Sequence, residues 1–533
     1  MYLSDCPREN IRWAGGRRFR NGNATNLDEL EGKTMNAVED KVMRVEIPKK
    51  YELFIDGECR QSKSKERLDC FCPISGEQLT SVPIANKDDV DAAVQSGVKA
   101  FAKWSGLTAK KRQQLILKVA DRICNEVDRI AWLETANTGK PMRESVANVY
   151  TAADRLRYYA GACRALEGRV LPVTSDITSY DHRVPLGVVG IIGAWNFPLN
   201  MFIGKIAPAI AAGNCVVYKP ADATPLTTLE IAALMNEILP AGVVNVVTGT
   251  GPVTGEAMLS HPAIRMVSVT GSTETGRKVM RGVASTMKRV TLELGGKNAQ
   301  IVFPDADLDR AAQGILLGAF LNQGQVCTSG SRIFVHRDVA QTLKDKIIAL
   351  IPQLQMGDPF KEETRMGTLV SKEHFARVSD YIEIGKKQGA RLLCGGRRAE
   401  VAGLPNGLFM EATLFDQVTP EMTIAREEIF GPVATIQEWS DYEQMLRDVD
   451  GVEQGLAAGI WTTSLSMAHT TAKRIQAGRI WVNCYNLFPS GASFGGVKAS
   501  GFGREDAFET LFEFTEVKNV IIDSADSYRR FYG

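Results

Sequence analysis

A single cysteine, Cys327, stands in the run LNQGQVCTSG (321–330) among Gln, Gly, Thr and Ser. Small polar neighbours leave a thiol reachable, and a reachable thiol is useful only if something activates it or the species it forms. Thirty-four residues earlier, VTLELGGKN places Glu293 between leucines and ahead of Gly295 and Gly296. A carboxylate in apolar company holds its proton more tightly and can serve as a general base. Taken singly, each residue also has an ordinary reading: a buried structural thiol, and an ion-paired carboxylate.

Other chemistries find little support. The ten cysteines are scattered, and only Cys70 and Cys72 are close. CxC without a second pair or a nearby histidine is a poor zinc signature. The five histidines form neither HxxxH nor HExxH, so no metal is expected. A net charge of +1 argues against nucleic acid or an anionic membrane surface as a partner. Hydrophobic content of 44% and charged content of 23% suit a soluble globular chain. No apolar run is long enough to span a bilayer, and scattered thiols point to a reducing, cytoplasmic compartment. At 533 residues, two or three domains are expected. Residues 1–48 lack hydrophobic periodicity and read as a loose extension. Its arginines (Arg17, Arg18, Arg20) are followed by Asp28, Glu29 and Glu31, unlike an acid-poor transit peptide.

The elements that would position Cys327 and Glu293 follow a clear rhythm. YELFIDGEC (51–59) predicts a strand turning at Asp-Gly. A helix starts near Lys87. A second, continuous helix carries Ile116, Val119, Ile123, Val127 and Ile130 on one face and stops at Thr138-Gly139 before Pro141. From residue 186, apolar strands recur at LGVVGIIGAW, NCVVYKP, VVNVV and RMVSVTG, with helices between them; Thr224-Pro225 is expected to cap one of these. That alternation predicts parallel βαβ units in a doubly wound sheet. Ligands bind such sheets at the carboxyl ends of the strands, here Trp195-Asn196, Lys219, Gly249 and Gly271-Ser272. A second series, AQIVF, SRIFV and RIWVN, predicts a second α/β domain, with Cys327 and Glu293 flanking the boundary. There is no GxGxxG. TGSTETG (270–276) can offer N–H groups and a hydroxyl to a phosphate, though an ordinary capped helix reads the same way.

In order and spacing, AWNFP, YKPADATPL, VTGSTETG, LELGGKN, NQGQVCTSG, EEIFGPV, NCYN and FGGVKASGFGRE resemble the NAD(P)-dependent aldehyde dehydrogenase superfamily, from about residue 50 to about 523. The resemblance implies two Rossmann-like α/β domains with a small oligomerisation extension. Residues 49–166 and 186–296 would bind NAD, 297–498 would carry the nucleophile, and 167–185 with 513–524 would join subunits in a dimer or tetramer. It implies Cys327 as nucleophile, Glu293 as base, and Asn196 with the Cys327 amide as oxyanion hole. Lys205 and Glu505 match a proton path. Trp195, Lys219, Asp222, Gly249, Gly271, Ser272, Glu428 and Phe430 fall at cofactor positions, and Asp222 favours NAD over NADP. Relatives that pass the acyl group to coenzyme A lack the glutamate, so hydrolysis to a free acid is implied. The loop NCYNLFPSGASFGG resembles the 4-trimethylaminobutyraldehyde and betaine-aldehyde branch. Phe197, Tyr485, Phe488 and Phe494 are expected to line the aldehyde tunnel and to hold a quaternary ammonium by cation–π attraction. A plain apolar tunnel for aliphatic or aromatic aldehydes is the alternative. Gly204 replaces an aromatic common in relatives and is expected to widen that tunnel. A non-catalytic structural descendant would be expected to lose Cys327, Glu293 or Asn196, and all are present.

Overall fold

The computed structural model describes residues 45–525; the arginines at 17–20 lie outside them. Two sheets organise the chain. In the first, five strands run parallel in the order Val244–Val246, Cys215–Lys219, Val188–Ile192, Ile264–Thr270, Arg289–Glu293. In chain order this is 3-2-1-4-5, the doubly wound arrangement, with its switch point between the Val188 and Ile264 strands. Leu53–Ile55 adds antiparallel to one edge and pairs with Glu58–Arg60 through a turn at Asp56 (φ 58°) and Gly57 (φ 82°). Gly501–Phe502 closes the other edge, opposite Leu292 and Glu293. The fifth parallel strand is not evident from sequence, because Arg289 is exposed and Val290 only half buried, so no continuous apolar run marks it.

The second sheet sets six parallel strands in the order Thr413–Asp416, Val433–Trp439, Arg332–His336, Ala299–Val302, Ala457–Trp461, Arg479–Val482, with Arg391–Cys394 antiparallel at one edge. Its central parallel strands are almost wholly buried, as expected of a parallel sheet covered on both faces. A separate three-stranded sheet joins Thr515–Asp523 to Ile177–Pro185 and Val170–Pro172. Val170, Val517 and Ile521 are exposed there.

Two helical expectations change. The apolar face from Ile116 to Ile130 belongs to two helices, Ala109–Cys124 and Val127–Thr138. Glu126 leaves helical geometry (φ −113°, ψ 19°), and its carboxylate accepts from Arg122 at 2.6 Å and Arg129 at 3.0 Å across the break. The hydrophobic period survives the break, which hides it in the sequence. The Thr224 hydroxyl does not cap the Leu226–Asn236 helix; it donates to the Trp195 carbonyl at 3.1 Å. Asn137 Oδ1 accepts from the Leu226 N–H instead, at 3.3 Å.

Candidate active site

The Leu308–Phe320 helix ends in a tight turn where Asn322 (φ 47°), Gln323 (φ 56°) and Gly324 (φ 68°) are all left-handed. Gly324 is required, since a Cβ there would collide with the Gly431 carbonyl. For Asn322 and Gln323 the conformation is strained, and the neighbouring bonds must hold it. Asn322 Nδ2 donates to Asn196 O at 3.1 Å and Gln325 O at 3.2 Å, and Gln325 Nε2 returns to Asn322 O at 3.2 Å. Asn298 Nδ2 then clamps the next stretch, donating to Cys327 O at 2.8 Å and Ser329 O at 2.9 Å. The nucleophile candidate therefore rides on a turn fixed from both sides.

Three further groups converge on it. Asn196 follows the Val188–Ile192 strand at the switch point and is 2% exposed. Its Nδ2 donates to Gln325 O at 3.0 Å, leaving one N–H of the amide for another acceptor. Glu293 ends the Arg289–Glu293 strand. It is buried, and neither carboxylate oxygen has a hydrogen-bond partner among the described residues. Burial first, and then the charge of Glu505, push its proton affinity well above that of an ordinary carboxylate, against the opposing pull of Lys205 and Arg504. A Cβ on Gly495 would come 2.8 Å from Glu293 Oε1, so that glycine lets the loop close over the carboxylate. Glu428 accepts from the Gly296 N–H at 3.0 Å, and burial pushes its carboxyl up to about 7. The Cys327 thiol is pushed up to about 12 by burial, then by Glu428 and Glu293. At neutral pH it is a thiol, so it must lose that proton before it can attack.

Lys205 and Glu505 are brought together beside Glu293. Lys205 Nζ donates to Glu505 Oε1 at 2.5 Å and to Ser268 Oγ at 3.0 Å. The remaining cofactor candidates line the carboxyl ends of the first sheet. Lys219 Nζ, nearly buried, donates to Asp222 Oδ1 at 2.7 Å and Pro220 O at 2.9 Å. A Cβ on Gly249 (φ 137°) would collide with Thr254 Oγ1. The Gly271 N–H donates to Glu293 O at 3.1 Å, tying the phosphate-type turn to the base strand. Ser272 caps the Thr273–Val283 helix, accepting from the Thr275 N–H at 3.1 Å. Thr270 Oγ1, at the end of its strand, is buried without a hydrogen-bond partner among the described residues. Trp195 meets Phe430 edge-on at 5.2 Å and His374 at 5.0 Å, which joins the two halves across the cleft. His374, invisible as a site residue in the sequence, donates to Phe430 O at 2.7 Å; burial lowers its pKa to about 4, so it is neutral.

Residues 59–520 match the aldehyde dehydrogenase family. The chain belongs to that family. It is 40% identical to the crystal structure of a putative aldehyde dehydrogenase from Burkholderia cenocepacia, over 90% of this chain and 99% of that one, with a TM-score of 0.89. An NAD+ complex of the Bacillus cereus aldehyde dehydrogenase is 40% identical, over 90% of this chain and 97% of that one, with a TM-score of 0.87. A betaine aldehyde dehydrogenase from Staphylococcus aureus, in complex with NAD+, is 33% identical over 91% and 99%, with a TM-score of 0.88. The protein is an NAD-dependent aldehyde dehydrogenase. The residues at the switch point suit the dinucleotide: an orphaned hydroxyl at Thr270, helix N–H groups after Ser272, and a lysine–aspartate pair after the second strand. No helix among the described residues is long and apolar enough to cross a membrane.

As an aldehyde dehydrogenase it departs from two expectations about the substrate wall. Tyr485 is not a tunnel residue: it is 2% exposed, its ring packs on Trp481 at 4.6 Å, and its hydroxyl donates to Thr328 O at 2.9 Å. It supports the Cys327 turn from behind. Gly204 does not widen the channel either. Arg155 fills the space, with Nη1 3.2 Å from where a Cβ would stand, donating to Asn200 O at 3.2 Å and to Asp506 Oδ2 at 2.8 Å. Phe197, Phe488 and Phe494 are half buried.

Proposed function

We propose that this aldehyde dehydrogenase releases a free carboxylic acid through a Cys327 thioester that Glu293 hydrolyses. The observation that carries this reading is Glu293 itself: a buried carboxylate with both oxygens unpartnered, whose charge is felt by the thiol. The Cys327 thiol gives its proton to water, and the thiolate adds to the aldehyde carbon. The oxyanion that forms is held by the spare N–H of Asn196 and the Cys327 amide. NAD, when bound, supplies the acceptor for the hydride. Loss of hydrogen with its bonding pair leaves the carbon as a thioester on Cys327. Glu293 then takes a proton from water, the hydroxide adds, and the C–S bond breaks to return the thiol. Lys205 and Glu505 offer an outward route for the proton. Lys219 and Asp222 would hold the adenosine ribose, Trp195, Gly249, Gly271 and Ser272 the adenine side and phosphates, and Glu428 with Phe430 the nicotinamide ribose. In Glu293→Gln the first turnover should release NADH as a burst of about one equivalent per site, followed by slow steady turnover. A loss of the burst itself, with turnover and burst falling together, would place Glu293 outside thioester hydrolysis.

For the substrate, the geometry favours uncharged aliphatic or aromatic aldehydes. The three available rings already carry internal cations. Lys140 Nζ lies 4.2 Å from the Phe197 centroid, and the Arg479 guanidinium lies 5.2 Å and 5.5 Å from those of Phe488 and Phe494. A substrate ammonium on the opposite face of Phe488 or Phe494 would sit about 10 Å from the Arg479 guanidinium and be repelled by about 2 kcal/mol at an effective dielectric near 20, whereas the charge of Lys140 is met by Glu134. That offsets the ~0.5–2 kcal/mol of a good cation–π contact. An aminoaldehyde such as 4-trimethylaminobutyraldehyde or betaine aldehyde remains the second reading, on the resemblance of the 483–496 loop. Comparing kcat/KM for hexanal and 4-trimethylaminobutyraldehyde decides between them: a preference for the cation above about tenfold sinks the first reading. The exposed apolar edge of Thr515–Asp523 further suggests pairing with a second copy, in a dimer or tetramer.

A further inference from the structure

The Val127–Thr138 helix stops at Gly139 (φ 79°), whose N–H donates to Thr135 O at 2.8 Å. A Cβ at that position would collide with Thr368 Oγ1. The turn sends Lys140 back into the interior, where both it and Glu134 are 0% exposed. Lys140 Nζ donates to Asn196 O at 2.9 Å and to Glu134 Oε1 at 3.4 Å, and lies over the Phe197 ring. Glu134 Oε2 accepts from the Leu199 N–H at 3.3 Å. One ion pair thus grips residues 196, 197 and 199 together. From the other side, Asn322 Nδ2 donates to the same Asn196 carbonyl, while Asn196 Nδ2 donates to Gln325 O. The Asn196 peptide has two donors on its carbonyl, which fixes its plane and with it the direction of the side-chain amide.

A buried ion pair is a weak source of stability, because desolvation cancels most of the attraction and apolar residues of similar volume do as well. Its use must lie in the direction of its contacts. We propose that Lys140, with Glu134, is a positioning residue for the oxyanion donor: it holds the Asn196–Leu199 turn so that the Asn196 amide meets the developing charge above Cys327. Lys140 touches no reacting atom and acts through Asn196, so this inference rests on the oxyanion role proposed for Asn196.

The test is a double-mutant cycle on the full-length enzyme with hexanal and NAD, using Lys140→Met, Asn196→Ala and the combination. Loss of one oxyanion donor costs about 100–1000-fold in kcat, and a misplaced one about 10–100-fold. Lys140→Met should lower kcat by about 10–100-fold in the otherwise native enzyme, yet by less than about threefold once Asn196 is alanine, since contacting sites in one network are not additive. NAD affinity, followed by tryptophan fluorescence, should stay within about twofold. Equal losses in both backgrounds, or no loss in the first, would overturn the clamp and leave the oxyanion reading intact. Asn196→Ala at near-native rate would instead overturn the oxyanion reading and the clamp with it. If Lys140→Met does not fold, Glu134→Gln takes its place in the same cycle under the same criteria.

Discussion

Setting the half-buried Cys327 among carboxylates makes a quantitative demand on the cofactor-free enzyme. Its thiol is pushed up to about 12 from the ordinary 9.0, by burial first and then by Glu428 and Glu293. At pH 7 an ordinary thiol is ionised to about one part in a hundred and this one to about one in a hundred thousand, so a thousandfold fewer thiolates are present. The more basic thiolate is the better nucleophile; a Brønsted slope of about 0.4–0.5 over three pH units returns roughly 15–30-fold. The net expectation is alkylation about 30–60-fold slower than that of a small unhindered thiol. Iodoacetamide labelling, with the Cys327 peptide quantified by mass spectrometry from pH 6 to 9, measures this directly. The logarithm of the rate should climb by one per pH unit with no plateau. Glu293→Gln removes one of the two nearby carboxylates, so labelling should become faster and the profile should move to lower pH. A plateau below pH 9, or labelling at pH 7 as fast as N-acetylcysteine, would refute the reasoning. The thiolate would then be stabilised by something other than the groups that surround it here.

Glu428 carries a related stability signature. Its carboxyl is raised from 4.5 to about 7, so below pH 4.5 it is protonated in folded and unfolded chains alike and has no effect. Between those values the unfolded chain ionises first, and above pH 7 the folded state bears a penalty of about 3 kcal/mol. Glu428→Gln should therefore stabilise the cofactor-free protein increasingly from pH 5 to 8 in thermal melts, while slowing turnover; a gain independent of pH would count against it. Asp222→Ser should release Lys219 from its 2.7 Å partner and lower KM for NADP by about tenfold or more while raising that for NAD, because a carboxylate repels a 2′-phosphate. An unchanged ratio would show that Asp222 does not discriminate. Gly204→Trp should displace Arg155 and strand the buried Asp506, at a cost of about 3 kcal/mol that appears in thermal melts. Unaltered melting would mean that the Arg155–Asp506 pair does not fill the notch.

Cys327 is legible because it sits among glycine and small polar residues, Glu293 because it stands between leucines, and Asn196 through the motif AWNFP. The parallel strands are legible because burial on both faces leaves continuous apolar runs. What stays hidden depends on neighbours far along the chain. The resemblance names Lys205 and Glu505, 300 residues apart, but only the folded chain sets them 2.5 Å from each other. Lys140 reads as an ordinary charge after a helix until its Nζ is found on the Asn196 carbonyl. Tyr485 shows the limit of composition as a guide: an aromatic in a substrate-type loop suggests a wall, but its hydroxyl is committed to Thr328 O on the far side of the nucleophile turn.

The error at Gly204 has a more general cause. Losing a large side chain removes a wall only when the space stays empty, and close-packed interiors do not leave it so. Here the compensation comes from another helix: Arg155, on Met142–Ala162, swings into the notch, and its charge is met by Asp506 from the carboxyl-terminal segment. Three distant segments therefore meet in a buried ion pair beside Gly204. An indole would have offered a face to a cation, whereas the guanidinium, with Arg479 nearby, leaves a cationic aldehyde to compete with charges already in place. The preference proposed for uncharged aldehydes draws on this ion pair together with Arg479, and neither Gly204 nor Arg155 would suggest it alone.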